Sequence, residues 1–168
     1  MTKSRRHLVL DEHGVTLIEL IAVIIVLGIL AAIAMPRIGD LDIFKTRGFY
    51  DKVGSTLRYA QKAAVASGCD VEVTSAANQL TLLQRHDCSS PTSAFDQPVP
   101  IPGESDSPNL VTAPSGTALS ATPSTFVFDS LGRAVDPGTG NPIAANVTVQ
   151  VGAQSVTVVG DTGYVDAQ

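Results

Sequence analysis

Residues 15–35 read VTLIELIAVIIVLGILAAIAM, an apolar run broken by one charge, Glu19. About 20 apolar residues in a helix span the hydrocarbon core of a bilayer. A chain of 168 residues that gives up this much to one run has room for a single small body besides. Lys3, Arg5 and Arg6 precede the run, so the bias of basic residues leaves the N-terminus in the cytoplasm and the body on the far side. An acid at mid-helix costs roughly 2.5–3.5 kcal/mol on insertion scales, and less near a helix end, where Glu19 stands. Its presence asks for a reason. Charge is also unevenly spread: residues 63–168 hold ten acids against Arg85 and Arg133, a net −8, in a chain of net −5. Collagen, repeat arrays and long coiled coils are excluded because no period sustains them.

Three readings of the run compete. A cleaved secretory signal would use Ala32-Ile33-Ala34 as its small-residue site, but its apolar region would be too long and would carry a charge. A plain single-pass anchor explains neither Gly14 nor Glu19. The segment Gly14-Val15-Thr16-Leu17-Ile18-Glu19, behind a short basic leader and ahead of an unbroken apolar helix, resembles the signal of type IV pilins and of type II secretion pseudopilins. The resemblance implies a prepilin peptidase that cuts between Gly14 and Val15 and methylates the new N-terminus on Val15. It also implies that Glu19 sets filament registry by pairing with the N-terminal amine of a neighbouring subunit. The physics is coherent: a small residue admits a protease to the backbone, and Glu19 lies about one turn, roughly 6 Å, along the axis from Val15. Val15 departs from the phenylalanine usual in that family, and Asp11 and Glu12 put acid where basic residues are commoner.

Pro36 ends the run and would kink a helix there. The apolar pattern resumes at Ile38, Leu41 and Phe44, then Val53, Leu57, Ala60 and Ala64, read as one helical face. Gly68 after Ser67 is the stop. Gly48 and Gly54 each weaken the middle by roughly 1 kcal/mol relative to alanine. Unbroken, 15–67 would make a helix of about 80 Å. Arg37, Lys45, Arg47 and Lys52 follow the membrane exit, as a solvated face or as a surface attracted to anionic lipid.

Beyond Gly68 the pattern shifts to period two. Val71–Val73 and Leu80–Leu83 flank Ala76-Ala77-Asn78, a hairpin. Residues 89–124, rich in Ser, Pro and Thr, read as a long surface loop. Thr125–Phe128 is a strand, 129–133 a turn and 136–142 a loop. Asn146–Val151 and Ser155–Val159 form the clearest hairpin, around Gly152-Ala153-Gln154. Gly163–Val165 adds a last short strand. The class is α+β, type IV pilin-like: a long kinked N-terminal helix packed on one antiparallel β-sheet. The organisation is leader 1–14, filament-core helix 15–36, amphipathic helix 37–68 and β domain 69–168. Leu57–Lys62 with Ala64–Cys69 is similar to the helix end of mannose-sensitive-haemagglutinin (MSHA) type minor pilins. Phe126–Asp129 with Leu131–Arg133 is similar to a strand and turn shared with H-type minor pseudopilins.

Cys69 and Cys88 are the only cysteines. An even count outside the cytoplasm favours a disulfide, with two separately buried thiols as the alternative. A metal site at His86-Asp87-Cys88 has poor ligand spacing. Asp129, Asp136 and Asp161 stand in turn sequences, where aspartate more often bonds local backbone than holds calcium. Asn146-Val147-Thr148 matches a glycosylation sequon. No nucleophile, zinc or phosphate-binding motif occurs, so no catalysis, cofactor, metal or small-molecule substrate is expected. Nucleic acid is not expected against a body of −8. The partners the resemblance implies are the peptidase/N-methyltransferase, other pilin or pseudopilin subunits and the inner membrane, with the body periplasmic and then on a pilus or pseudopilus. A monomeric anchored ectodomain with a binding or enzymatic role is the reading from another class.

Overall fold

The computed structural model describes residues 15–34, 41–104 and 108–167. The chain divides into two units, Met1–Asp40 and Leu41–Gln168. The first contains one described helix, α1 (Leu17–Ala34). The leader with Gly14, the expected kink at Pro36, and Ile38 lie outside the described residues.

The second unit begins with α2 (Leu41–Ser67). Its buried face is Phe49, Tyr50, Val53, Thr56, Leu57, Ala60 and Ala64, repeating every three or four residues as an amphipathic helix requires. Phe44 departs from the sequence expectation: it is 71% exposed, and Ile43 is 66% exposed. At 3.6 residues per turn, the nine steps from Phe44 to Val53 make about two and a half turns. Phe44 therefore lies on the side of the helix opposite Val53 rather than on one face with it. The helix ends at Gly68, whose φ of 67° is the left-handed conformation that glycine adopts without penalty. The Cys69 amide then donates back to the Ala64 carbonyl at 3.2 Å, closing the last turn.

Among the described residues ten strands follow: β1 (Val71–Ala76), β2 (Gln79–Arg85), β3 (Phe95–Pro98), β4 (Leu110–Thr112), β5 (Leu119–Thr122), β6 (Thr125–Phe128), β7 (Ala134–Val135), β8 (Val147–Val151), β9 (Gln154–Val158) and β10 (Val165–Asp166). They form two antiparallel sheets, not the one expected. The larger runs β3-β2-β1-β6-β7, with β4 also paired to β2, and the smaller runs β10-β9-β8-β5. The β1–β2 hairpin turns on Ala77 and Asn78, both at positive φ (50° and 60°). That matches the right-handed twist of the strands it joins. The β8–β9 hairpin pairs Val151 with Gln154, so its turn is Gly152-Ala153, one residue tighter than the sequence suggested.

The expected loop at 89–124 holds β3, β4 and β5. Leu83–Arg85 pairs with β3 and Gln79–Thr81 with β4, so two short strands share one edge of β2. Their apolar signal is weak because β3 buries no side chain fully and β4 and β5 bury only Val111 and Leu119. Backbone pairing, not period-two burial, makes them strands.

Helix and sheets share one core in which Val53 and Leu57 meet Val71, Val73, Phe126, Phe128, Val149 and Val156. Phe126 and Phe128 meet edge to face with ring centres 5.4 Å apart. The seam between the sheets is made of backbone. The Ala134 amide donates to the Gly160 carbonyl at 2.9 Å, and the Ile143 amide to the Ala134 carbonyl at 2.9 Å. Gln61 of α2 clasps that seam: its Nε2 donates to the Gly132 carbonyl at 2.9 Å and to the Thr162 carbonyl at 3.1 Å. Beside it, a Cβ on Gly54 would stand 2.9 Å from the Ala167 Cβ. That glycine, read from sequence only as a weak point, lets the C-terminal segment approach the helix.

Candidate functional site

The candidate site is α1. Thr16 begins it: its Oγ1 accepts the Glu19 amide at 3.3 Å, and its carbonyl accepts the same amide at 3.1 Å. A threonine oxygen satisfying the third helical amide is an N-cap. The signal is present in the sequence, since Thr16-Leu17-Ile18-Glu19 has capping-box spacing. Glu19 is the acid of the first turn, the favourable end for a negative charge. Val15, 70% exposed, precedes the cap.

From Leu17 to Leu30, eleven large apolar side chains are exposed, none below 38%. Covering each is worth roughly 1.5–3 kcal/mol, so the helix holds something of order 15–30 kcal/mol that this chain does not use internally. The apolar residues lie all round it, so no single face is set aside for a partner. α1 has 18 residues, about 27 Å at 1.5 Å per residue against a hydrocarbon core of about 30 Å. Among the described residues no helix is long and apolar enough to cross a membrane.

Elsewhere the polar residues are committed to structure. Cys69 and Cys88 are joined in a disulfide with Cα atoms 4.8 Å apart, tying the end of α2 to the strand exit of β2. Cys88 is thereby unavailable as a metal ligand, and His86 sits against Asp96 at 3.1 Å. Arg85 pairs with Asp70 at 2.9 Å and stacks on Phe95 at 4.3 Å. Arg133 pairs with Asp129 at 2.7 Å. The two basic residues of the acidic body are thus both in ion pairs. Asp129 also accepts the amides of Leu131 and Arg133, and Asp136 those of Gly138 and Thr139. The Thr139 amide and hydroxyl, with the Gly138 amide, hold the Asp136 carboxyl below its ordinary pKa. The Ser89 hydroxyl and amide do the same for Asp87. Glu72 shifts the other way, because partial burial on β1 outweighs the nearby Arg85 charge. Among the described residues no three His, Cys, Asp or Glu side chains are placed to hold a metal ion.

Residues 10–35 match the prokaryotic N-terminal methylation motif. The chain thus carries the N-terminal signal found in type IV pilins and pseudopilins. The fold agrees. The type IV minor pilin FimU of Pseudomonas aeruginosa matches 76% of this chain and 90% of its own, with 10% identity and a TM-score of 0.50. The minor pseudopilin EpsH from the type II secretion system of Vibrio cholerae matches 73% of this chain and 94% of its own, with 14% identity and a TM-score of 0.51. At these identities the likeness is one of fold. No curated protein sequence matches this pilin-like chain.

Proposed function

We propose that this chain is a structural minor pilin. A prepilin peptidase cuts it between Gly14 and Val15 and methylates Val15, and it then enters a type IV pilus of the MSHA-like class. Residues 15–36 hold the precursor in the inner membrane with the 69–168 body in the periplasm, and they leave the lipid for the filament core. The observation that carries this is α1: apolar on every side, exposed from Leu17 to Ala32, and bearing one acid in its first turn. In lipid Glu19 is a cost. Beside a neighbour's N-terminal ammonium it becomes half of an ion pair, and a buried charge stripped of its partner is worth about 3–5 kcal/mol. Both effects drive the helix from bilayer to filament, so the function is assembly rather than catalysis.

The intact mass and N-terminal peptide of the chain, recovered from membranes with prepilin peptidase coexpressed, test this. A methylated Val15 start supports it, whereas a Met1 start under those conditions, or a start near Met35, defeats it. Glu19→Ala is expected to be cut normally yet to be lost from filaments.

A second reading, a minor pseudopilin of a type II secretion system, is supported equally by the fold, since the EpsH and FimU scores are 0.51 and 0.50. Copurification of the tagged chain with surface pili or with secretion-system subunits separates the two.

A further inference from the structure

We infer that the start of α2 and the β8–β9 turn together form a seat for the headgroup region of an anionic phospholipid bilayer. The inference rests on the proposal that residues 15–36 lie in the membrane in the precursor. Three features meet at this place. Ile43 and Phe44 are 66% and 71% exposed, and Phe44 projects from the side of α2 opposite its packed face, so the chain's own body cannot cover it. An open groove of about 440 Å³ is lined by Ile43, Thr46 and Arg47 of α2 and by Ala153 and Gln154 of the hairpin, with Phe44 next to it in sequence but outside its lining. Lys45 and Arg47 are both exposed there. Ile43 follows the last residue of α1 by only nine positions.

Apolar side chains beside cations, a few residues beyond an apolar helix, suit a bilayer surface. The rings and methyls enter the acyl boundary while the guanidinium reaches phosphate. The acidic body opposes approach to an anionic surface as a whole. Among the described residues no carboxylate lines this groove, however, and exposed charges farther off are screened by ordinary salt. Arg47 is the residue that selects lipid charge. Ile43 and Phe44 supply the contact that water does not reward.

The chain contains no tryptophan, so single reporters can be placed without background. The full chain carrying Phe44→Trp is reconstituted in phosphatidylcholine vesicles with and without phosphatidylglycerol, their acyl chains brominated near the headgroup. Ile24→Trp, at an exposed position of α1, reports insertion itself. The expected result is strong quenching of Ile24→Trp in both lipids. For Phe44→Trp, a blue shift and quenching are expected with phosphatidylglycerol and weaken severalfold without it. One cation at a charged surface is worth about fivefold in occupancy, so adding Arg47→Gln should remove most of that difference.

Quenching of Ile24→Trp without quenching of Phe44→Trp overturns this inference and leaves the membrane reading standing. Quenching of neither overturns both. Equal quenching of Phe44→Trp in the two lipids overturns the anionic seat. A blue shift that bromine does not quench overturns it in favour of a protein neighbour. Both reporter sites are exposed, so the body folds whichever result is found.

Discussion

Replacing Gly160 with alanine probes the backbone seam that holds the two sheets together. The φ of Gly160 is not in the left-handed region, so conformational freedom does not explain the glycine. Space does: a Cβ there would stand 1.7 Å from the Ile143 carbonyl oxygen and 2.8 Å from its carbonyl carbon. The obstacle is backbone, which cannot rotate aside. It must retreat by roughly 1.5 Å to reach an ordinary contact. The carbonyl of Gly160 accepts the Ala134 amide at 2.9 Å, and the Ile143 amide donates to the Ala134 carbonyl at 2.9 Å. Separating Gly160 from Ile143 strains both bonds, at about 1 kcal/mol each. Overpacking adds about 1–3 kcal/mol. Alanine returns about 0.4–1 kcal/mol by restricting the unfolded chain. The net expectation is a loss of about 2–4 kcal/mol, or about 10 °C in Tm for a chain of this size.

Urea and thermal unfolding of the full chain in detergent, followed by far-ultraviolet circular dichroism, measure this. Gly140→Ala is the control. Gly140 has φ 69° and nothing within 4 Å of a Cβ, so it costs only the backbone conformation, about 1–2 kcal/mol. A Gly160→Ala protein as stable as Gly140→Ala, or more so, would refute the account of the seam.

Removing the disulfide with Cys69→Ala and Cys88→Ala, which frees a separation of 19 residues, should cost about 3 kcal/mol in urea unfolding. Ser75→Ala should stabilise by about 1 kcal/mol, because among the described residues the buried Ser75 hydroxyl has no hydrogen-bond partner. Glu72 has a raised folded-state pKa, so it favours folding below its ordinary value of 4.5, and that contribution is lost as pH rises through the folded pKa. Glu72→Gln should therefore gain stability relative to wild type at neutral pH, with the gain shrinking toward pH 4 in parallel melts. Asp136 has a lowered pKa, so its contribution is present above its ordinary 3.8 and lost as pH falls through the folded value. Asp136→Asn should be the less stable protein at neutral pH and converge with wild type in acid.

The hairpins were legible because their signals are local. Val147–Val151 and Gln154–Val158 alternate buried and half-buried residues around a glycine at φ 58°. Gly68 was legible as a stop for the same reason. The strands inside 89–124 were not, since β3 and β4 are defined by the edge of β2 that they cover and β5 by its pairing with β8, and each brings one buried side chain at most. The second sheet was hidden likewise. Its separation depends on which backbone groups meet at Gly160 and Ala134, and composition does not record that. Of the candidate site, the apolar character of α1 and the place of Glu19 were readable directly. The Thr16 cap was written in the spacing but competed with a reading of the same residues for cleavage.

Phe44 shows how a correct count can lead to the wrong face. Spacings of three connect Leu41 to Phe44, and spacings of three and four connect Val53 to Ala64, so each stripe is helical by itself. The nine steps from Phe44 to Val53 turn the helix by half a revolution beyond two whole turns. A body that buries Val53 must therefore expose Phe44. Phe44 is then apolar surface this chain leaves uncovered, and the second stripe belongs to the core. α2 thus presents one face to its own body and, at its start, a different face outward. The change of sides falls between Phe44 and Phe49. From Phe49 to Ala64 the buried apolar face of the helix lies in the core it shares with the sheets.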